Sequence, residues 1–153
     1  MKKKPAKKFI NQSHIHAKEQ EHVMKKIAKA GHCPFCTENL LLYHPKSIIK
    51  KGVYWVVSEN GWPYKGTKIH LIFILKKHKE HIKSLSKNEW LELLKLFKYT
   101  IKKFSINGGS AFLRFGDTDM TGGSVNHIHA QMISGGKRSP KSRKIFIPLA
   151  YKK

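Results

Sequence analysis

The strongest constraint on the fold is the alternation of side chains in residues 122–133, which read Gly-Gly-Ser-Val-Asn-His-Ile-His-Ala-Gln-Met-Ile. In a β-strand, alternate side chains point to the same face of the sheet. A strand over 124–133 therefore presents three polar side chains on one face, namely His127, His129 and Gln131. Its other face carries apolar side chains that can pack in a core, namely Ile128, Ala130 and Met132. We expect a strand with one functional face and one buried face.

Two glycines precede this strand and favour an anion-binding turn. Because Gly122 and Gly123 carry no side chain, their backbone N–H groups can approach an anion closely. A single histidine in a chain with 10 histidines is more often structural than functional. Three aligned polar groups beside a Gly-Gly-Ser turn are instead typical of a functional site.

The other predicted strands indicate one α+β domain. Residues 69–75 form an apolar run of strand length, which is typical of a central strand. Shorter strands are expected over 54–57 and 111–115. Residues 145–151 are expected to form a last edge strand, where Pro148 is tolerated. Strands and helices alternate without a strict βαβ rhythm, which favours the α+β class.

Two helices are expected to flank these strands. The first covers 17–30 and ends at Gly31. The second covers about 87–104 and begins with a capping box at residues 86–89, Ser-Lys-Asn-Glu. Apolar residues recur along it at helical spacing, and we expect all of them to pack in the core: Trp90, Leu93, Leu94, Phe97, Ile101 and Phe104.

Length and composition exclude several protein classes. A chain of 153 residues with 40% hydrophobic residues can bury one core. No run approaches the roughly 20 apolar residues of a membrane span, and no apolar segment of a secretory signal follows the basic start. We therefore expect no membrane association. The two cysteines, Cys33 and Cys36, exclude a disulfide framework and favour a reducing, cytoplasmic location.

The net charge of +22, from 31 Lys+Arg against 9 Asp+Glu, is the strongest compositional signal. Such a surface attracts nucleotides, nucleic acids and other polyanions. We expect residues 1–16 to be a basic flexible arm and 17–153 to form a single domain, in which 135–153 comprise a basic loop and the edge strand. Both basic segments are candidate contacts for nucleic acid. A lysine-rich coding bias is the alternative explanation of the charge.

Cys33 and Cys36 have the CxxC spacing of zinc ligands, and histidines lie downstream to complete a site. The alternative is a redox motif, which is expected to follow a strand and open a helix. Here a predicted helix and Gly31-His32 precede the motif. We therefore favour a structural zinc ion over redox chemistry.

Several of these parts, in this order, resemble the histidine triad superfamily. Residues 127–133, His-Ile-His-Ala-Gln-Met-Ile, are similar to its signature in the His-x-His-x-Gln form. That form resembles the dinucleoside tetraphosphate phosphorylases and galactose-1-phosphate uridylyltransferase-like transferases. The resemblance covers about 33–134 and includes the CxxC, the Asn60/Pro63 loop and the central strand. It implies an α+β fold with an antiparallel sheet of about five strands and flanking helices, usually a homodimer, that binds nucleotides.

The resemblance also implies roles for individual residues. His129 matches the nucleophile that attacks an α-phosphorus and forms a nucleotidyl-histidine intermediate. Ser124 matches a residue near the leaving phosphate, and Asn60 matches a contact to the ribose. Gly123 and Gln131 are expected to contribute to nucleotide binding.

The same resemblance implies a ligand set for zinc. Uridylyltransferase-like members bind structural zinc through a CxxC, a histidine after the central strand and the first histidine of the signature. The matching residues here are Cys33, Cys36, His78 and His127. His81 competes with His78 for the third position.

Gln131 stands where other members have a third histidine, and this restricts the chemistry. Glutamine forms hydrogen bonds but does not titrate, so it cannot protonate a poor leaving group. A phosphate or polyphosphate leaves as an anion without that proton. We therefore expect nucleoside polyphosphates or NDP-type substrates and poor turnover of phosphoramidates. Hydrolysis and transfer to phosphate both stay open.

Other residues near the signature are ambiguous. Residues 62–64, Trp-Pro-Tyr, can wall a base or form a plain turn. His70 can line the site or be a core histidine with satisfied hydrogen bonds, and we favour the core. Gly116 stands where many hydrolase members have Asn, which removes one expected phosphate contact. Two acids beside it are expected to be solvated, and one nearby cation can reach a phosphate or lie on the surface: Asp117, Asp119 and Arg114.

Three functions compete at this point. The first is a nucleotidyl hydrolase or nucleotidyltransferase that cleaves a nucleoside polyphosphate through a nucleotidyl-His129 intermediate. The second is a basic, zinc-containing nucleotide- or nucleic-acid-binding module without turnover. The third is an enzyme whose basic arms hold a nucleic-acid end.

Overall fold

The computed structural model describes residues 9–15 and 17–153, so the expectations for residues 1–8 and His16 lie outside the described part. The larger elements are α1 (Lys18–Ala30), α2 (Thr37–Tyr43), β1 (Ile48–Lys51), β2 (Trp55–Glu59), β3 (Ile69–Leu75), α3 (Lys87–Lys103), β4 (Ser110–Arg114) and β5 (His129–Ser134). Short 3-10 helices cover Gln12–His14 and Ile82–Ser84.

The five strands form one antiparallel sheet in the order β1-β2-β3-β5-β4. β3 lies at its centre, as its apolar run predicts. The register pairs Ile74 with His129 and Ile72 with Gln131, so β5 holds both polar residues in the interior of the sheet. The α+β class and the antiparallel sheet of five strands are confirmed. Among the described residues, no helix is both long and apolar enough to cross a membrane.

Both predicted helices are confirmed. α1 ends at Gly31, whose φ of 71° is the left-handed conformation that glycine adopts without strain. α3 begins with the expected capping box, in which Ser86 accepts from the Glu89 N–H and the Glu89 carboxylate accepts from the Ser86 N–H. Two short elements, α2 and β1, are absent from the predictions because neither is long enough to show a clear period.

α3 packs on the sheet through a narrower face than its sequence predicts. Leu93 and Leu96 are buried in the core beside residues of the sheet such as Trp55 and Phe73, and Phe97 and Phe104 are partly buried against them. The expectation of core packing is wrong for three residues that are 38%, 54% and 43% exposed, namely Trp90, Leu94 and Ile101. The apolar stripe of α3 is therefore wider than the surface that the sheet covers.

The predicted strands need two corrections. β5 begins at His129 rather than at residue 124, because the N–H groups of Asn126 and Ile128 donate to the carbonyls of Phe9 and Lys79 and not to a neighbouring strand. Residues 145–151 form no strand, and the carbonyl of Pro148 accepts from a side chain instead. β2 and β4 each begin one residue away from the predicted start.

The expectation of a flexible arm is wrong for residues 9–15, which pack against the loop before β5. Ile10 is buried and forms a β-bridge with Val125. The Asn11 N–H donates to the Ser124 carbonyl at 2.8 Å. The N-terminal segment therefore closes one side of the loop that leads into β5.

Candidate functional site

His129 is the first residue of β5 and is 4% exposed. Its Nδ1 lies 2.8 Å from the carbonyl oxygen of His127, so Nδ1–H donates there and Nε2 keeps the lone pair. Burial is the main cause that lowers the pKa of His129 to about 4, and the guanidinium of Arg114 lowers it further. The imidazole is therefore neutral near pH 7, in the tautomer that a nucleophile needs.

Gln131 lies two residues further along the same face and is held by His70. The Tyr64 N–H donates to His70 Nδ1 at 3.2 Å, so the proton of the ring is on Nε2. That Nε2–H donates to Gln131 Oε1 at 2.7 Å. His70 is thus a buried histidine with satisfied hydrogen bonds, as we favoured, and it also orients the amide of Gln131.

One narrow cavity contains all five residues predicted to act in catalysis or nucleotide binding: Asn60, Gly123, Ser124, His129 and Gln131. The Asn60 side chain accepts from the Trp62 N–H at 2.9 Å, which shapes the loop after β2. Trp62 and Tyr64 line the cavity, whereas Pro63 is exposed and lies outside it. The two aromatic residues of this loop are therefore placed where a base could contact them, and the wall and the plain turn both stay open.

The cavity also contains residues that no sequence motif marked: His14, Phe35 and His44. Phe35, inside the CxxC, contacts the His129 ring edge-on at 5.2 Å between centroids. His44 Nε2 lies 2.7 Å from the Ser58 hydroxyl. His14 arrives from the N-terminal segment. Of these three residues, only Phe35 has a sequence signal, because it lies between the two cysteines of the CxxC motif.

Arg114 is a buried residue of the site and not a surface residue. It ends β4 and pairs across the sheet with His129. Its Nη2 donates to the Tyr64 hydroxyl at 3.0 Å and to the Pro148 carbonyl at 2.8 Å. Of the two acids in the following loop, both are exposed, and Asp117 accepts from the Asp119 N–H. Asp119 is not only solvated, because its carboxylate accepts from Asn11 Nδ2 at 2.6 Å.

Cys33, Cys36, His78 and His127 form a second cluster, in which one ligand atom of each lies within 4.8 Å of the others. His127 Nδ1 lies 3.2 Å from Cys33 Sγ and 3.1 Å from His78 Nδ1. His78 Nδ1 lies 3.5 Å from Cys36 Sγ. His81 is outside the cluster and packs against Phe115. The structure therefore places His78, and not His81, with the cysteines.

The hydrogen bonds around this cluster match the requirements of a metal site. His127 Nε2 donates to the Leu75 carbonyl at 2.6 Å, and His78 Nε2 lies 3.0 Å from Glu80 Oε1. Both Nδ1 lone pairs therefore face each other inside the cluster, which is repulsive unless a cation lies between them. Two thiolates and two oriented imidazoles are a donor set that Zn²⁺ prefers.

The redox alternative fits less well. The CxxC opens a helix, α2, but it follows α1 and not a strand. Burial raises the pKa of the Cys33 thiol, whereas a reactive redox thiol needs a lowered pKa. The cluster is thus a structural metal site with the donors of a zinc centre. Because His127 joins it through the loop before β5, the metal site borders the strand that carries His129.

The solved structures that resemble this one include several histidine triad proteins. A hypothetical histidine triad nucleotide-binding protein from Sulfolobus tokodaii is 21% identical over 79% of this chain and 81% of that chain, with a TM-score of 0.55. A HIT family hydrolase from Clostridium thermocellum is 20% identical over 75% and 97%, with a TM-score of 0.54. A zinc-bound histidine triad family protein from Mycobacterium smegmatis is 15% identical over 71% and 78%, with a TM-score of 0.53.

No protein-family model and no curated protein matches the chain. The likeness at these identities concerns the fold, and the chain has the fold of the histidine triad proteins.

Proposed function

From the histidine triad fold and the geometry of the cavity, we propose that the chain is a nucleotide-binding enzyme that cleaves a nucleoside polyphosphate through a nucleotidyl-His129 intermediate. The observation that carries the proposal is a neutral, buried His129 whose Nδ1–H is held by the His127 carbonyl. Its Nε2 lone pair is then available to a phosphorus atom in the same cavity.

The reaction proceeds in two displacements. His129 Nε2 forms a bond to the α-phosphorus while the bond from that phosphorus to the bridging oxygen breaks, and the leaving phosphate takes the electron pair. In the second step, water or phosphate attacks the same phosphorus and releases the His129 imidazole. An acid is not required in the first step because the leaving phosphate is already a stable anion.

The surrounding residues hold the substrate. Gly123 and Ser124 lie in the loop before β5, where backbone and hydroxyl groups can bind the leaving phosphate. Asn60 is proposed to bind the ribose, and Trp62 offers an aromatic surface for the base. The Gln131 amide, oriented by His70, donates to a phosphate oxygen without titrating.

The metal centre helps to position the nucleophile, His129, through its neighbour His127. Cys33, Cys36, His78 and His127 would hold a structural zinc ion, which supplies rigidity and not reaction chemistry. A fixed His127 ring fixes its own backbone carbonyl, and that carbonyl is the acceptor for His129 Nδ1–H. The two free cysteines, Cys33 buried and Cys36 half-buried, are consistent with the cytoplasmic location that we propose.

The decisive experiment is intact-protein mass spectrometry after brief incubation with diadenosine tetraphosphate, ATP, GTP, ADP or UDP-glucose. We expect a nucleotidyl adduct with at least one donor and no adduct in His129→Ala. Decay of the adduct with and without phosphate then separates transfer from hydrolysis. If no donor gives an adduct or a released mononucleotide, the catalytic proposal fails for these substrates.

A second candidate is a nucleic-acid-binding module without turnover. One observation favours it: a broad cleft beside the cavity is lined by basic side chains, namely Lys65, Lys137, Arg143 and Lys144. Binding of single-stranded nucleic acid that weakens steeply with salt and survives His129→Ala, together with no turnover, is the result that would favour this candidate.

We also propose a homodimer. The exposed apolar residues of α3, led by Leu94, lie on the same helix that packs against the sheet, and β4 is an open sheet edge. Leu94→Glu is expected to shift the protein from dimer to monomer in size-exclusion chromatography with light scattering, because a buried charge in an apolar interface is unfavourable. Leu42→Glu, at an exposed position of α2, is the matched control and should leave the dimer intact. A wild-type monomer would contradict the proposal.

A further inference from the structure

The guanidinium of Arg114 has no charged partner in the described part of the chain, and its Cζ lies 5.1 Å from the centre of the Phe112 ring. Arg114 is 5% exposed, yet its Nε and Nη1 are buried and have no hydrogen-bond partner among the described residues. The partners of Nη2 are a hydroxyl and a carbonyl, both uncharged. The ion pairs between described residues do not include Arg114. A buried cation in this condition is unfavourable until an anion pairs with it.

The surrounding backbone leaves room for this guanidinium. A Cβ on Gly123 would lie 2.8 Å from Arg114 Cδ, which is too short for ordinary contact. A Cβ on Gly122 would overlap the carbonyl of Pro148, which accepts from Arg114 Nη2. The two glycines therefore leave space for the Arg114 side chain and for the carbonyl that holds it.

The position of Arg114 indicates which part of an anionic substrate it would bind. It is the cross-strand neighbour of His129, on the same face of the sheet, and it lines the same cavity. Its contacts, Tyr64 and Gly122, line both this cavity and the basic cleft beside it. Arg114 therefore lies between His129 and the basic cleft. The leaving group of a substrate bound at His129 would extend past Arg114 toward this cleft.

We propose that Arg114 binds the phosphate next to the one that His129 attacks, and so selects substrates whose leaving group is itself a phosphate chain. This inference rests on the proposed function. The guanidinium offers a positive charge and unpaired N–H groups at Nε and Nη1, either of which can donate to a phosphate oxygen. The charge that collects on the leaving phosphate as its bond to the α-phosphorus breaks is then neutralised in a buried site.

The test compares two leaving groups in Arg114→Gln. Turnover of diadenosine tetraphosphate (kcat/KM) is expected to fall about 100-fold, the usual loss when one donor to a developing anion is removed. Turnover of the p-nitrophenyl ester of AMP, whose leaving group carries no phosphate, should change by less than about 3-fold. Arg114→Lys should recover part of the loss because it keeps the charge. Equal losses with both substrates, or no loss with either, would overturn the inference.

Arg138→Gln is the matched control, since it removes the same charge from an exposed residue of the basic loop that does not line the cleft. It should leave both rates within about 3-fold of the wild type. If Arg114→Gln does not fold, the wild-type protein still decides the question. The chain has three arginines, Arg114, Arg138 and Arg143, so their Nε–H signals can be separated by ¹⁵N NMR.

Inorganic pyrophosphate is the probe for this measurement. We expect the Arg114 Nε–H signal to shift on titration, with protection from solvent exchange, while the signals of the other two arginines move less. An unmoved Arg114 signal at saturating pyrophosphate overturns the inference. A shift without any nucleotide turnover keeps the phosphate site and removes only the catalytic proposal, so the two failures are distinguishable.

Discussion

Replacement of His129 by alanine is expected to lower kcat for diadenosine tetraphosphate by about four orders of magnitude or more, the range observed when a covalent nucleophile is removed. The loss follows because no other described side chain in the cavity combines a neutral imidazole, a fixed Nδ1–H and a central position in the sheet. The fold should persist, since β5 keeps its backbone hydrogen bonds to β3 and β4. Initial rates and intact mass, measured on the same preparation, check both statements.

The matched control is His22→Ala. His22 lies on α1, is exposed and does not line the cavity, so its loss should leave the rate unchanged. If His129→Ala retains turnover above about 1% of the wild type, another group performs the attack and the covalent scheme through His129 is wrong.

Removal of the metal is expected to produce the second large effect, this time on stability. Zinc bound by four buried or half-buried ligands contributes directly to folding. A loss of about 5 kcal/mol corresponds to a fall in Tm of about 10–20 °C for a domain of this size. A thermal scan with and without a strong chelator measures this fall. Cys33→Ser should reproduce it without chelator, because it removes the buried thiolate.

His81→Ala is the control for the metal experiment. It removes the competing histidine, which lies outside the cluster, so zinc content and Tm should match the wild type. The assignment fails if the purified protein contains no zinc by elemental analysis and its Tm does not respond to chelator. Loss of zinc from His81→Ala with retention in His78→Ala would instead exchange the roles of the two histidines.

The polar face of β5 could be predicted because strand periodicity is local. His129 and Gln131 alternate with apolar residues, and that pattern holds in any sheet with one buried face. His127 was assigned to the same strand, but tertiary hydrogen bonds to Phe9 and Lys79 interrupt pairing before residue 129. The ring of His127 consequently joins the metal cluster, a position that the family resemblance implied and periodicity alone did not.

The apolar residues of α3 show a second limit of prediction from the sequence of a single element. Spacing identifies the apolar residues but not which of them meet the sheet, because that depends on the angle at which the helix docks. Glu92 helps to set this docking by accepting from the backbone N–H groups of Tyr54 and Trp55. Such a contact between distant segments has no signature in either segment alone.

The residues that complete the cavity are unpredictable for the same reason. His14 and His44 come from segments without a motif, and Arg114 lies at the end of an ordinary strand. Their function depends on which strands become neighbours. A sheet order in which the last strand lies between the third and fourth cannot be derived from the strands one at a time.

The contacts that complete the site join segments far apart in the chain, and this has a consequence for synthesis. Cys33 contacts His127, 94 positions later, and the Asn11 N–H donates to the Ser124 carbonyl. A growing polypeptide on the ribosome can therefore form the β1–β3 meander and α3 long before the nucleophile exists. Until β5 emerges, the edge of β3 stays unpaired and open to aggregation. The strand that carries His129 is therefore completed only late in synthesis. Fragments released before that point lack the nucleophile, and their unpaired β3 edge makes them candidates for chaperone binding.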